Sequence, residues 1–191
     1  KQYNAFLIVD EAHATGVFGD KGAGLVQHLG LETQVFARIH TFGKALGCHG
    51  AAIVGSEALR QFLINYARSF IYTTALPPHS IKAIQHAYTS VESAKSQRKS
   101  LFDAIELFKS NIDKRLTDRL IPSDSPIQCV IVEGNEQVRN LAKHIQEKGF
   151  DVRAVLSPTV AKGKERLRIC LHSFNTAEEI KELCNILNKQ L

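Results

Sequence analysis

An uninterrupted apolar run that ends in two acidic residues is the feature that most constrains the fold of this chain. Residues 5–9 read Ala-Phe-Leu-Ile-Val, and Asp10 and Glu11 follow directly. Runs of this kind, without polar alternation, are typical of strands buried on both faces of a parallel α/β sheet. Glycines at positions 16, 19, 22 and 24 then predict a loop. We therefore predict an α/β fold in which a buried strand leads into a glycine-rich loop.

The pattern after this loop predicts further strands and then helices. Strands are predicted at residues 35–42 and 51–54, a helix at 56–68 and a short strand at 70–74. A long helical region follows Pro77-Pro78, and its polar segment 93–100 leaves open whether the helix is continuous or broken. The clearest later loop is residues 122–126.

The last third of the chain alternates strand and helix patterns. Strands are predicted at residues 127–132, 152–156 and 167–171. Asn135 is the predicted N-cap of one helix, and Thr176 with Glu179 forms a predicted capping box for the last one. We divide the chain into part of a large domain at 1–75, a helical connection at 76–119 and a small α/β domain at 120–191.

Composition narrows the possible functions. The formal net charge is +5, but the 24 Lys and Arg residues are dispersed, so a main role in nucleic-acid binding is not predicted. The spacing of the four cysteines matches no zinc site and no disulfide framework, and we predict no metal. No apolar run has the length of a membrane span, so no membrane partner is predicted and the expected location is cytoplasmic.

Chemistry-bearing residues follow two consecutive predicted strands. Asp10 and His13 come after the first strand, and Thr41 and Lys44 come at the end of the next. In open α/β sheets, ligands bind beyond the carboxyl ends of the strands, so these four side chains are expected to converge. A carboxylate, an imidazole, a hydroxyl and an amine are the groups that pyridoxal 5'-phosphate (PLP) requires for its ring nitrogen, ring hydroxyl, phosphate and aldehyde.

The sequence Asp10-Glu11-Ala12-His13 also matches a sequence motif of helicases in which the acidic residues bind magnesium. The phosphate-binding Gly-Lys-Ser/Thr that normally accompanies such a motif does not occur in the sequence. The PLP interpretation is therefore favoured.

Several segments together resemble one family, the α-oxoamine synthases, which are fold-type I PLP enzymes. The likeness is carried by residues 9–19, by Thr-Phe-Gly-Lys at 41–44, by Ile-Tyr-Thr-Thr-Ala-Leu-Pro-Pro at 71–78 and by Ser-Pro-Thr-Val at 157–160, and it extends over essentially the whole chain. It implies a decarboxylating condensation of an amino acid with an acyl thioester. Within the family, the likeness favours L-alanine with a pimeloyl thioester as the substrate pair, and glycine with acetyl-CoA is the alternative.

The resemblance also implies a role for individual residues. Lys44 would bind PLP as a Schiff base, Asp10 would pair with the ring nitrogen, His13 would contact the ring hydroxyl oxygen and Thr41 the phosphate. Thr73 or Thr74 would reach the phosphate of the cofactor in the neighbouring subunit of a homodimer.

The same resemblance implies two substrate-binding residues near the end of the chain. Arg168 would bind the amino-acid carboxylate, and Thr159 lies at a substrate-contact position. Arg166, two residues before Arg168, is expected to face the opposite side of the strand and so to serve as its control.

The family's N-terminal half, with its glycine-rich cofactor contact and a histidine that stacks on PLP, has no counterpart in this sequence. We therefore expect the chain to correspond to the C-terminal half, that is, the C-terminal part of the large domain plus the small α/β domain. We also expect it to be inactive on its own. A catalytically silent structural or dimerising module is the alternative from another functional class.

Overall fold

The computed structural model describes residues 3–191 and divides the chain into two compact units. The first unit ends at Lys95, and the second runs from Ser96 to Leu191. Each unit has its own β-sheet.

The sheet of the first unit has the order β1-β2-β3, with β1 at Ile8–Asp10, β2 at Ala37–Thr41 and β3 at Ala51–Gly55. β1 pairs with β2 in parallel, and β2 pairs with β3 in antiparallel fashion. All three predicted strands are confirmed. The parallel pair places the carboxyl ends of β1 and β2 at the same edge of the sheet.

β1 differs from the prediction in its burial. Phe6, Leu7 and Ile8 are 81%, 52% and 58% exposed. β1 lies at the edge of the three-stranded sheet, where only β2 pairs with it among the described residues. Of the apolar run at residues 5–9, only Ile8 and Val9 lie in β1, and the run is not buried on both faces in this chain.

The helices of the first unit are α1 at Leu25–His28, α2 at Glu57–Tyr66, α3 at Arg68–Ile71 and α4 at Pro78–Ser93, with a short 3₁₀ turn at Asp20–Gly22. The hydroxyl of Ser56 accepts a hydrogen bond from the Leu59 amide and caps α2. Pro78 opens α4, where a missing backbone N–H costs nothing. The helical region breaks at Ala94, which settles the alternative left open by the sequence.

The predicted strand at residues 70–74 is wrong. The amides of Phe70 and Ile71 both donate to the carbonyl of Ala67, which closes the helical turn α3, and the Tyr72 amide donates to Arg68. Aromatic and β-branched residues favour strands only where a neighbouring strand offers a ladder, and here local helical hydrogen bonds form instead.

The second unit is a four-stranded antiparallel sheet packed on helices. Its strand order is β4-β5-β7-β6, with β4 at Leu120–Ile121, β5 at Ile127–Ile131, β6 at Arg153–Val155 and β7 at Arg166–Cys170. The helices are α5 at Lys95–Asn111, α6 at Asn135–Gln146 and α7 at Ala177–Gln190, and a 3₁₀ turn covers Lys114–Arg119. Phe108, Ile145, Leu167 and Leu187 are fully buried in one core.

The predicted helix signals of this unit are confirmed in part. Thr176 and Glu179 form the capping box of α7, with both reciprocal hydrogen bonds present. Asn135 is not the N-cap of α6, because Gly134 occupies that position with φ 91°. The Asn135 side chain instead binds the backbone of Ser157.

Within residues 3–191, none of the helices combines the length and the apolar character needed to cross a bilayer. The same residues contain no cluster of three or more histidine, cysteine or carboxylate side chains arranged to hold a metal ion.

Candidate active site

The edge of the first sheet at the carboxyl ends of β1 and β2 carries the candidate site. Asp10 is the last residue of β1 and lies opposite Ile39, and Thr41 is the last residue of β2. The Glu11 amide donates to the Ile39 carbonyl at 2.8 Å, so the two strands stay paired up to this edge. Asp10 and Thr41 are therefore brought to the same end of neighbouring strands.

Asp10 and His13 begin the loop that leaves β1. An Asp10 carboxylate oxygen accepts a hydrogen bond from the Ala12 amide at 2.8 Å, which orients the carboxylate and leaves its other oxygen available. Both side chains are exposed. The tight turn after Asp10 is closed by the Ala14 and Thr15 amides, each of which donates to the Glu11 carbonyl at 2.9 Å.

Thr41 carries an unusual hydroxyl. Its Oγ1 atom is buried, yet it has no hydrogen-bond partner among the described residues. Burying a hydroxyl without a partner costs free energy, so such groups are rare in proteins, and a bound ligand, ion or water is one arrangement that would satisfy them.

Lys44 lies in the loop that joins β2 to β3. Two backbone hydrogen bonds shape this loop, one from the Gly47 amide to the Lys44 carbonyl at 3.0 Å and one from the Cys48 amide to the Phe42 carbonyl at 2.8 Å. Gly47 has φ 61°, a conformation that favours glycine. The turn presents the Lys44 side chain to solvent three residues after Thr41.

A buried hydrogen-bonded network lies behind the site, and the sequence interpretation missed it. The Thr15 hydroxyl donates to the Glu11 carbonyl at 3.0 Å, and it lies 2.8 Å from Nδ1 of His40. Burial lowers the pKa of His40, and the charge of Arg38 lowers it further. The neutral imidazole thus links the loop after β1 to the strand that ends in Thr41.

Glu11 is the second residue that the sequence interpretation missed. Its carboxylate is fully buried and accepts hydrogen bonds from the Leu25 and Val26 amides, each at 2.8 Å. A carboxylate next to an apolar strand gives no sequence signal that distinguishes it from an exposed one. Only the close return of residues 24–26 to the end of β1 explains its burial.

Thr73 and Thr74 are exposed and follow α3. The Thr73 hydroxyl donates to the Ser69 carbonyl. Their predicted contact with a neighbouring subunit remains a prediction.

The two predicted substrate residues, Thr159 and Arg168, belong to the second unit. Arg168 lies on β7 between Cys129 of β5 and Arg153 of β6, and its guanidinium has no hydrogen bond or ion pair within residues 3–191. Arg153 is engaged by Asp151 at 3.0 Å.

The expectation that Arg166 faces away from Arg168 is wrong. Residues two apart on a strand share a face, and β7 alternates half-buried Arg166 and Arg168 with fully buried Leu167. Arg166 differs from Arg168 in its partner, because its Nε donates to the Lys164 carbonyl at 2.9 Å. It is a neighbour of Arg168 and not a control on the opposite face.

The loop that carries Thr159 is held at both ends. Asn135 binds the backbone of Ser157, and the buried Glu165 carboxylate accepts hydrogen bonds from the Gly134 amide at 3.0 Å and the Gly163 amide at 2.9 Å. These backbone donors lower the pKa of Glu165. Thr159 itself is exposed on this loop.

Comparison with known proteins places the chain in a class. The family model for aminotransferase class I and II matches residues 1–187, and the chain belongs to that family. Its α/β architecture is that of the fold-type I PLP-dependent transferases, as solved structures with high TM-scores also indicate.

Particular relatives narrow the likeness. The chain is 44% identical to 8-amino-7-oxononanoate synthase of Emericella nidulans, covering 94% of this chain and 45% of that protein. It is 37% identical to the protein of that name from Saccharophagus degradans, covering 98% and 47%. The chain thus spans about half the length of the curated relatives it matches.

Solved structures agree with this likeness. The crystal structure of 8-amino-7-oxononanoate synthase from Francisella tularensis matches with a TM-score of 0.84 and 31% identity, over 96% of this chain and 54% of that chain. A structure of SPT with its PLP internal aldimine matches with a TM-score of 0.88 and 25% identity, over 99% and 48%. The resemblance described from the sequence motifs is therefore confirmed.

Proposed function

We propose that this chain supplies the lysine-bearing part of a PLP site in an acyltransferase of biotin biosynthesis. The reaction is the decarboxylating condensation of L-alanine with a pimeloyl thioester, which gives 8-amino-7-oxononanoate. Support comes from the relatives of that name and from the motifs at residues 12–16, 72–78 and 158–160. The assembled protein acts as a homodimer, and the chain by itself is inactive in the condensation.

The observation that carries the proposal is the buried, unpartnered hydroxyl of Thr41 at the same sheet edge as Asp10. A phosphate oxygen is a strong acceptor for such a hydroxyl. The residues present therefore fit PLP: Thr41 for its phosphate, Asp10 for its ring nitrogen, His13 for its ring oxygen and Lys44 for its aldehyde carbon.

Bound PLP supplies an electron sink for negative charge at the substrate α-carbon. Two residues of this chain are proposed to act on the cofactor, Asp10 at its ring nitrogen and Lys44 at its aldehyde carbon. The Asp10 carboxylate keeps the ring nitrogen protonated, because an opposite charge stabilises the charged form. The Lys44 amine would hold the cofactor through its aldehyde carbon and, as a free amine, would take the α-proton of alanine and later return a proton to the product.

Arg168 is the proposed carboxylate-binding residue. Its guanidinium has five donors in a planar fork and no partner within residues 3–191, so it is available for bidentate binding. Thr159 is proposed to contact the substrate from its clamped loop, and Thr73 or Thr74 to contact the phosphate in the second subunit.

The experiment that tests the cofactor role uses the 191-residue chain. The chain is incubated with PLP, reduced with borohydride and mapped by mass spectrometry for lysines that carry a pyridoxyl group. We expect selective modification of Lys44, and Lys44→Ala to lose it while the exposed Lys82→Ala variant keeps it. Modification spread evenly over surface lysines, or selective modification that survives Lys44→Ala, contradicts the assignment.

Substrate identity needs a separate experiment, in a protein that joins this chain to the N-terminal half its relatives contain. Alanine and glycine are each tested with pimeloyl and acetyl thioesters. Highest turnover with alanine and the pimeloyl donor supports the proposal, whereas preference for glycine and acetyl-CoA supports glycine C-acetyltransferase.

A structural or dimerising role is favoured by one specific observation, the exposed apolar side chains of Phe6, Leu7 and Ile8 immediately before and at the start of β1. Large exposed apolar patches mark association surfaces. Sedimentation of the 191-residue chain, together with the pyridoxyl mapping, separates the two functions. A stable dimer in which PLP does not label Lys44 selectively supports the structural role.

A further inference from the structure

The carboxylate of Glu11 lies in the protein interior, where a charge without hydrogen-bond partners would destabilise the fold. Its side chain is fully buried, and its two oxygens accept the Leu25 and Val26 amides at 2.8 Å. Burying a charged group is stable only when hydrogen bonds replace the lost water. The carboxylate therefore fixes residues 24–26 against the end of β1, next to Asp10.

Gly24 shows how closely this contact is fitted. A Cβ at position 24 would lie 2.8 Å from the Cδ atom of Glu11, so only glycine leaves room for the carboxylate. The Gly24 amide in turn donates to the Phe18 carbonyl at 2.8 Å. Glu11 is thereby connected to the glycine-rich loop, which we define as residues 14–24.

The opposite side of the glycine-rich loop touches the turn that carries Lys44, defined here as residues 42–48. A Cβ at position 16 would lie only 2.6 Å from the Cβ of Ala45. Gly16 is held in place by its amide, which donates to the Gly22 carbonyl at 2.8 Å. Ala45, the residue after Lys44, therefore rests directly on the backbone of the glycine-rich loop.

We propose that Glu11 is a positioning residue that fixes the Lys44 turn through the glycine-rich loop, with the contact between Gly16 and Ala45 as the point of transmission. The proposal rests on Lys44 being the cofactor lysine. Glu11 contacts neither cofactor nor substrate in this role. The carboxylate contacts Gly24, the chain runs from Gly24 back to Gly22, and the Gly22 carbonyl accepts the Gly16 amide, so the end of β1 is connected to the Lys44 turn through the glycine-rich loop.

The first test measures amide hydrogen exchange in the 191-residue chain and needs no cofactor. In Glu11→Gln the side chain keeps its shape, but its NH₂ group faces one of the two backbone donors. We expect exchange to quicken by about tenfold in residues 14–26 and also in the Lys44 turn, while the ladder between β2 and β3 stays protected.

Glu165→Gln is the control for loss of charge alone. Glu165 is also buried, but a single oxygen, Oε2, accepts both the Gly134 and the Gly163 amides, so the carbonyl oxygen of a glutamine can keep both bonds. This variant should leave exchange in the Lys44 turn unchanged and alter exchange near Gly134 and Gly163 much less than Glu11→Gln alters it in residues 14–26. An unchanged Lys44 turn in Glu11→Gln, or equal loss of protection throughout the first unit, overturns the positioning role.

The second test addresses the contact itself, with selective pyridoxyl modification of Lys44 as the readout. Gly16→Ala should reduce the modification of Lys44 severalfold, and adding Ala45→Gly should restore part of it by removing the opposing Cβ. Gly30→Ala is the control for backbone strain, because Gly30 has φ 65° and no atom within 4 Å of the added Cβ. No recovery in the double variant, or an equal effect of Gly30→Ala, contradicts the proposed contact.

The two tests fail differently. If PLP and borohydride do not label Lys44 selectively in the wild-type chain, the proposed cofactor function of this chain is contradicted. The exchange measurement still decides whether Glu11 fixes the Lys44 turn.

Discussion

The side-chain amide of Asn135 and the backbone of Ser157 are joined by two reciprocal hydrogen bonds. The Ser157 amide donates to Oδ1 of Asn135 at 2.9 Å, and Nδ2 of Asn135 donates to the Ser157 carbonyl at 3.1 Å. The pair ties the start of α6 to the loop that carries Thr159.

Asn135→Ala should loosen this loop, because it leaves two half-buried backbone groups of Ser157 without their partner. The expected loss of stability in the second unit is about 1–3 kcal/mol. Hydrogen exchange should quicken in residues 157–163. Asn188→Ala is the control, because Asn188 also joins two backbone groups, of Asn111 and Asp113, elsewhere in the same unit. Equal effects of both variants on residues 157–163 would contradict a specific clamp.

Thr41→Val is predicted to have opposite effects on stability and on binding. It removes a buried hydroxyl that has no partner, so the ligand-free first unit should be neutral in stability or gain about 1 kcal/mol. PLP binding should weaken, because the phosphate loses a donor. Thermal unfolding and titration with PLP measure the two effects.

Thr15→Val is the matched comparison for that experiment. The Thr15 hydroxyl bonds both Glu11 and His40, so its removal should destabilise the first unit by about 1–3 kcal/mol. If Thr41→Val destabilises the ligand-free chain as much as Thr15→Val does, the Thr41 hydroxyl has a structural partner and the phosphate role loses its support.

Acidification should destabilise the first unit through His40. Burial and then Arg38 hold the pKa of His40 below its ordinary value of 6.5, so the unfolded chain binds the proton more readily than the folded one. The stabilising contribution is present above about pH 6.5 and is lost as the pH falls through and below that value. Urea unfolding of the wild type and His40→Gln at pH 7.5 and 5.5 measures it, with the exposed His172→Gln as control. A stability difference that stays constant between the two pH values would contradict this role.

The cysteines of the second unit should react at very different rates. Burial raises the pKa of Cys184 to about 12, and its thiol donates to the Phe108 carbonyl, whereas Cys170 is exposed. Because the thiolate is the reactive form, iodoacetamide should modify Cys170 in the folded chain and Cys184 only after unfolding. Rapid modification of Cys184 under native conditions, measured by peptide mass spectrometry, would show that the core of this unit opens locally.

Local patterns explain which predictions were confirmed. The apolar run before Asp10, the glycines after it and the capping box at Thr176 act within a few residues of each other, so the sequence displays them directly. The motif around Lys44 carried the family likeness for the same reason. The prediction at residues 70–74 was wrong because strand formation depends on a neighbouring strand, which no local pattern contains.

The sequence by itself determined the class of fold, the two strands that lead to Asp10 and Thr41, and the position of Lys44 just after the second of these strands. Only the tertiary structure decided that Glu11 is buried, that the Thr41 hydroxyl lacks a partner and that Gly16 rests on Ala45. These facts depend on contacts between segments about 13 to 30 residues apart in the chain. The burial of a polar atom is set by what packs against it, and a residue's type and immediate neighbours do not contain that information.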